Sequence, residues 1–280
     1  MEMSFELNAE KRRTLIAELM AQEACQDQGK DILVVVHNQI DYIRQFVESL
    51  FRTTKNFHLY LWDNASDQET KAFLEQVRTE NPNVTLHRSE ENLGFIVPNN
   101  ELAKLGTNPW VILLNSDTCC KAGWDHALLG FLQQNPKYGV CGYQGGLLNE
   151  DGLGAFQHWG EDVDYVMGWC LCIRRSLYEQ IGLFDQTELQ FAYAEDSDFG
   201  LRARAAGALP YALHLDYMLH FGGATYRTVS HQENSQVAFI RNHGVVKRRW
   251  RDYLTYDRVL LKKTKLEECD PGLSAGVGAA

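Results

Sequence analysis

Four times between Asp31 and Pro136 the chain repeats one two-part pattern, a short apolar run followed by a stretch with apolar positions at helical spacing. DILVVV precedes IDYIRQFVESLF, in which Ile40, Ile43, Phe46, Val47 and Leu50 share one side. The pattern recurs as FHLYLW with QETKAFLEQVRTEN, VTLHR with PNNELAKLG, and PWVILLN with WDHALLGFLQQNP. Strands that are apolar along their whole length need cover on both faces, and a strand–helix repeat supplies it. The expected class is α/β, a doubly wound, mostly parallel sheet with helices on both faces.

Flanking segments extend this plan. Residues 1–29 read as an N-terminal amphipathic helix, because Leu15, Ile16, Leu19 and Met20 fall at helical spacing. VMGWCLCIRR (166–175) and YALHLDYMLHF (211–221) read as further strands, and the glycine-rich, aromatic stretch 138–168 as substrate-facing loop. The main domain is expected over 30–230, a basic helical extension over 231–268, and a disordered tail over 269–280.

Composition narrows the function. With 27 Lys and Arg against 37 Asp and Glu, the net charge of −10 argues against a long polyanion as partner, so nucleic acid is not expected. The exception is local: nine basic residues lie between 241 and 265 against Asp252 and Asp257, interleaved with Val245, Val246, Trp250, Tyr253 and Leu254. That segment reads either as a solvated helix packed on the domain or as a peripheral contact with an anionic membrane. No run approaches the roughly 18 apolar residues of a membrane span, and MEMSFELNAEKRR has no apolar export core, so a cytoplasmic address is expected. Seven cysteines at 25, 119, 120, 141, 170, 172 and 269 show neither a disulfide framework nor zinc spacing and read as buried thiols.

Ligands of an open parallel sheet bind beyond the carboxyl ends of its strands. Here those ends are His37-Asn38, Asp63-Asn64 and Asn115-Ser116-Asp117. Any one of them alone reads as a turn or helix cap; three on one edge point to a shared site. GxxxxGK[ST], GxGxxG and HExxH are absent, which removes the main support for P-loop, dinucleotide-binding and zincin chemistry. A diphosphate at this edge needs another counter-charge, and Mg²⁺ or Mn²⁺ on Asp117 would provide it.

The ordered series VVVHNQ, LWDNAS, ENLGF with Asn99-Asn100, LLNSDT, Gly168-Trp169-Cys170 leading to Arg174-Arg175, GLFD, and AEDSDFGLRARAAG followed by His220 resembles family 2 glycosyltransferases of GT-A fold. The rhamnosyltransferase-like subgroup is the most similar, and the resemblance spans about residues 31 to 250. It implies a metal-dependent, inverting transfer from a UDP- or dTDP-type nucleotide sugar to a glycan or lipid-linked acceptor. By the same resemblance His37, Asn38, Asp63, Asn64, Asn92, Asn115 and Ser116 contact the nucleotide, Asp117 and His220 hold Mn²⁺ or Mg²⁺, and Asp196 beside Glu195 is the base. Trp159 and Trp169 are candidates for stacking on an acceptor sugar, with core packing as the alternative. Asp196 alternatively reads as a helix N-cap, with Asp198 in the first turn. The chain departs from the family pattern in Asn115-Ser116-Asp117, which has one carboxylate where the family element has two, in Pro98, and in His37. Two other classes fit the fold: a non-catalytic nucleotide- or carbohydrate-binding module, and a transferase acting on nucleic-acid bases.

Overall fold

The computed structural model describes residues 29–160, 163–222 and 229–257. The expected N-terminal helix, Cys25, Cys269 and everything beyond 257 lie outside the described residues. The four sequence repeats form β1 (Lys30–Val36), α1 (Ile40–Thr53), β2 (Phe57–Asn64), α2 (Gln68–Glu80), β3 (Val84–Ser89), α3 (Ile96–Ala103), β4 (Trp110–Asn115), β5 (Thr118–Cys120) and α4 (Trp124–Gln134). After them come β6 (Tyr138–Gly142), β7 (Gly145–Leu148), β8 (Gly154–His158), β9 (Tyr165–Val166), β10 (Cys170–Arg174) and α5 (Arg175–Ile181). α6 (Glu195–Ala205), β11 (Leu209–Ala212), β12 (Met218–His220), α7 (Val229–Arg249) and a π-turn (Tyr253–Asp257) complete the order.

The central sheet has seven strands in the order β11-β6-β10-β4-β1-β2-β3, all parallel except β10. Both faces are covered. Ile32, Val34 and Val36 join one apolar cluster with Phe46, Trp124 and Leu128, while Leu33 joins the other with Leu113, Ile173 and Phe199. This is why β1 is apolar at every position from Ile32 to Val36: alternate side chains enter different cores. Two ion pairs at the start of β1 tie the end of the sheet remote from the polar strand ends, Lys30–Asp125 and Asp31–Arg175, each at 2.6 Å.

Two expectations change. The glycine-rich stretch holds the central strand β6 and the small antiparallel sheet β8-β7-β9. Its glycines suit close packing: a Cβ on Gly142 would stand 2.1 Å from the Cys170 carbonyl oxygen. The run 211–221 is not one strand. β11 ends at Ala212 in the main sheet, and β12 pairs with β5 in a separate two-stranded sheet.

α7 straddles the expected boundary at 230/231 and packs against the main domain through Ala238, Val245 and Val246, all buried. Its C-terminal cations are spent on acidic partners: Lys247 with Asp151, Arg248 with Glu188, and Arg249 with Asp185, Glu188 and Asp198. The cysteines among the described residues are free thiols. Burial pushes those of Cys120, Cys141 and Cys170 up, away from the reactive thiolate.

Candidate active site

Register sets which residues leave the sheet together. Val35 pairs with Asn115, Val36 with Asp63, and Asn64 with Ser89, so the polar ends of β1, β2, β3 and β4 emerge at one level. Antiparallel β10 begins at that edge, with Cys170 opposite Leu114, which brings Gly168 and Trp169 to the same place. A cavity of about 780 Å³ opens there, lined by His37, Asn64, Asn92, Asn115, Ser116, Asp117, Trp169, Glu195, Asp196 and His220 among others. Asn38, Asp63 and Trp159 do not line it.

Those three have other partners. Asp63 is fully buried and accepts from the Ser66 N–H and Arg88 Nε, each at 3.0 Å, so its carboxylate joins neighbouring strands. Asn38 adopts a left-handed φ of 57° and accepts from the Asp67 N–H at 2.7 Å, tying the end of β1 to the head of α2. The Trp159 indole donates to the Tyr143 carbonyl at 3.2 Å, and its ring lies against His214 at 4.5 Å.

One side of the cavity is held by amides. Asn64 donates to Asn92 Oδ1 at 2.8 Å and to the Gly94 carbonyl at 2.9 Å, and accepts from the Leu93 N–H at 2.8 Å. One side chain thereby folds the loop after β3 against the end of β2. His37 Nδ1 lies 2.7 Å from the Asn64 carbonyl oxygen. A carbonyl can only accept, so Nδ1 carries the proton.

Asp117 and His220 meet through the small sheet. β12 pairs with β5 so that His220 stands opposite Thr118, which puts His220 Nε2 3.3 Å from Asp117 Oδ1 and 3.5 Å from Asn115 Nδ2. Trp169 fixes the imidazole by stacking on it, with centroids 4.7 Å apart and planes 10° from parallel. Its indole donates to Gln144 at 2.9 Å. One face of Trp169 is therefore occupied by His220.

Across the cavity, α6 begins with two carboxylates in unlike surroundings. Its N-cap is Ala194, not Asp196; Glu195, Asp196 and Asp198 all lie in its first turn, where a charged carboxylate complements the positive end of the helix. Asp196 accepts from the Gly168 N–H at 3.1 Å and the Ser197 N–H at 2.7 Å. Burial raises its pKa against the opposing pull of these donors. Glu195 has a buried Oε2 with no hydrogen-bond partner, and burial together with the Asp196 charge pushes its carboxyl up to about 8. At neutral pH Glu195 is mostly the uncharged acid and Asp196 the better proton acceptor. Asp198 serves the packing of the helices instead, for it is fully buried and pairs with Arg202 at 2.7 Å and Arg249 at 2.8 Å.

The opposite wall is formed by Tyr165 and Met167, from the stretch expected to face substrate, and by Phe191, Tyr193, Phe239 and His243, which the sequence did not single out. His243 Nδ1 donates to the Phe239 carbonyl at 2.8 Å, and burial lowers its pKa, so the ring is neutral at pH 7. The spacing of Phe239 and His243, one helical turn apart, was the available signal.

Comparison with known proteins bears on the family and the fold. The family model described as Glycosyl transferase family 2 matches residues 31–182. The N-acetylglucosaminyl-diphospho-decaprenol L-rhamnosyltransferase of Mycobacterium tuberculosis is 28% identical over 236 residues, covering 68% of this chain and 75% of the relative. The Sinorhizobium fredii protein y4gI is 24% identical over 274 residues; the match covers 87% of this chain but only 30% of that longer protein. Among solved structures, the mannosyltransferase PcManGT of Pyrobaculum calidifontis, in complex with GDP-Man and Mn²⁺, superposes with a TM-score of 0.56 at 13% identity, covering 99% of this chain and 87% of that one. The shared fold, the family match over more than half the chain, and the converging strand ends lead to one assignment: this chain belongs to glycosyltransferase family 2 and is a glycosyltransferase of GT-A fold.

Proposed function

We propose that this chain transfers a sugar, with inversion, from a UDP- or dTDP-type nucleotide sugar to a hydroxyl of a glycan or lipid-linked acceptor, using Asp196 as base and Asp117 with His220 for a divalent cation. What supports the reading above all is that one cavity is lined both by a carboxylate–imidazole pair 3.3 Å apart and by a separate, hydrogen-bonded carboxylate. One carboxylate and one imidazole suit Mn²⁺ or Mg²⁺, which fill their remaining positions with phosphate oxygens and water. Bound there, the cation balances the charge that builds on the departing diphosphate. A lipid-linked acceptor is supported by the mycobacterial relative, whose name gives a decaprenyl-diphosphate-linked sugar.

In the proposed reaction Asp196 takes the proton from the acceptor hydroxyl as its oxygen attacks the anomeric carbon. The bond from that carbon to the diphosphate oxygen breaks, and its electron pair leaves with the nucleoside diphosphate. A single displacement inverts the configuration and needs no covalent enzyme intermediate. The wall of Tyr193, Phe239 and Met167 offers the acceptor an apolar surface beside Asp196.

The test is to incubate the protein and Mn²⁺ with α-configured UDP- and dTDP-sugars and N-acetylglucosaminyl-diphospho-decanol, following the anomeric proton of the product by NMR. A β-linked product supports the reading. An α-linked product, or no transfer from any donor, contradicts it.

A further inference from the structure

The helix that carries Asp196 is preceded by a run of left-handed residues that have side chains. Phe191, Tyr193 and Ala194 have φ of 65°, 74° and 64°, and all three line the cavity. L-residues avoid this region because Cβ crowds the following carbonyl, so surrounding contacts must hold them there. Two clamps do so. On one side Gly94, at φ 78°, lets the backbone approach: a Cβ there would stand 2.3 Å from the Phe191 carbonyl oxygen, which accepts from the Phe95 and Ile96 N–H groups.

The other clamp is a single amide. Asn242 on α7 is fully buried, and its Nδ2 lies 2.8, 2.9 and 3.0 Å from the carbonyl oxygens of Gln190, Ala192 and Tyr193. Its Oδ1 accepts from the Gln190 N–H at 3.1 Å. Asparagine is otherwise a poor choice inside a helix, since its side chain competes with the backbone for hydrogen bonds. Here that capacity is directed across the interface, onto the segment that leads into Glu195 and Asp196.

We propose that Asn242 is a positioning residue for sugar transfer: it holds residues 190–194, with Phe191, Tyr193 and Ala194 left-handed, in their path and so presents the head of α6 to the acceptor hydroxyl. The inference rests on the reading of Asp196 as base. Asn242 touches none of the strand ends read as nucleotide-facing, and the Asn92–Gly94 loop, which meets the clamped segment through the Phe191 carbonyl, is held independently by Asn64, so Asn242 acts on the rate of transfer more than on nucleotide affinity.

The experiment compares the full chain with Asn242→Ala, Asn242→Ser and the double variant Asn242→Ala/Ala194→Gly. It reads the affinity for UDP and dTDP with Mn²⁺ by calorimetry, nucleoside diphosphate release with the acceptor above, and backbone hydrogen exchange over 190–197. Misplacing a reacting group by about 1 Å costs on the order of 10²-fold in rate, so kcat of Asn242→Ala falls by about that factor while nucleotide Kd stays within about twofold. Exchange over 190–197 speeds up, and Asn242→Ser, which keeps one donor, falls between. Ala194→Gly restores about fivefold or more on the Asn242→Ala background, because glycine takes positive φ without the Cβ penalty. Unchanged kcat, loss of nucleotide affinity in step with kcat, or no recovery from the glycine overturns the proposal. If the unaltered chain releases no nucleoside diphosphate from any donor, the transfer reading fails and the positioning role with it, even where exchange shows the clamp.

Discussion

Glu195 and Asp196 are neighbours in sequence, yet the fold separates their chemistry: one has a buried, unpartnered Oε2 and the other is met by N–H donors. The Glu195 carboxyl rises from 4.5 to about 8 on folding. A raised folded pKa means that its contribution to stability is full below pH 4.5 and is lost as pH climbs toward 8. Glu195→Gln keeps the shape and removes the titration. Its Tm is expected to match that of the unaltered chain near pH 4.5 and to exceed it by about 2 °C or more at about pH 8.5, as followed by circular dichroism. Equal Tm values at both pH values would count against the buried, uncharged acid. Residue-scale legibility was uneven. Asp117 was singled out because it follows an apolar strand, whereas the role given to Asp196 came from the family resemblance, its local pattern fitting a helix cap as well. Asp63, expected at the nucleotide base, instead faces Arg88 across β2 and β3, and that partner is set by strand register and not by local sequence.

At the scale of elements, the junction of α6 and α7 decides the shape of the cavity wall around Asp196. Asp198 receives Arg202, Arg249 and the Trp250 indole, and Arg249 also reaches Asp185 and Glu188. Removing one partner of a buried charge cluster leaves the rest uncompensated, at about 3–5 kcal/mol. Asp198→Ala is therefore expected to lower Tm by about 6 °C or more in a chain of this size, measured by calorimetric scanning. A shift within about 1 °C would mean that the cluster is solvated and carries little, as exposed pairs do. The excess of basic residues after 241 was plain in the sequence, but the acidic partners of Lys247, Arg248 and Arg249 lie on other elements and at long range. For the same reason Asn242 gave no warning, and the one-turn spacing of Phe239 and His243 did not say which cavity they face. The strand β6 was hidden by its glycines, which signal turns locally and close packing only in the assembled sheet.

For the whole molecule, the repeated strand–helix pattern carried most of the fold, because buried parallel strands leave a strong apolar signature. It did not carry the direction of β10, whose reversal brings Gly168 to Asp196 and Trp169 to His220. The central claim is a division of labour across one cavity: Asp117 with His220 on the nucleotide side and Asp196 on the acceptor side. Calorimetric titration of UDP and dTDP, with and without Mn²⁺, into the unaltered chain, Asp117→Ala and Asp196→Asn tests it most directly, with turnover measured on the same samples. The expected result is metal-dependent nucleotide binding that Asp117→Ala abolishes and Asp196→Asn retains, while Asp196→Asn loses about 10²- to 10⁴-fold in kcat. Nucleotide binding indifferent to both Mn²⁺ and Asp117, or full turnover in Asp196→Asn, would contradict it.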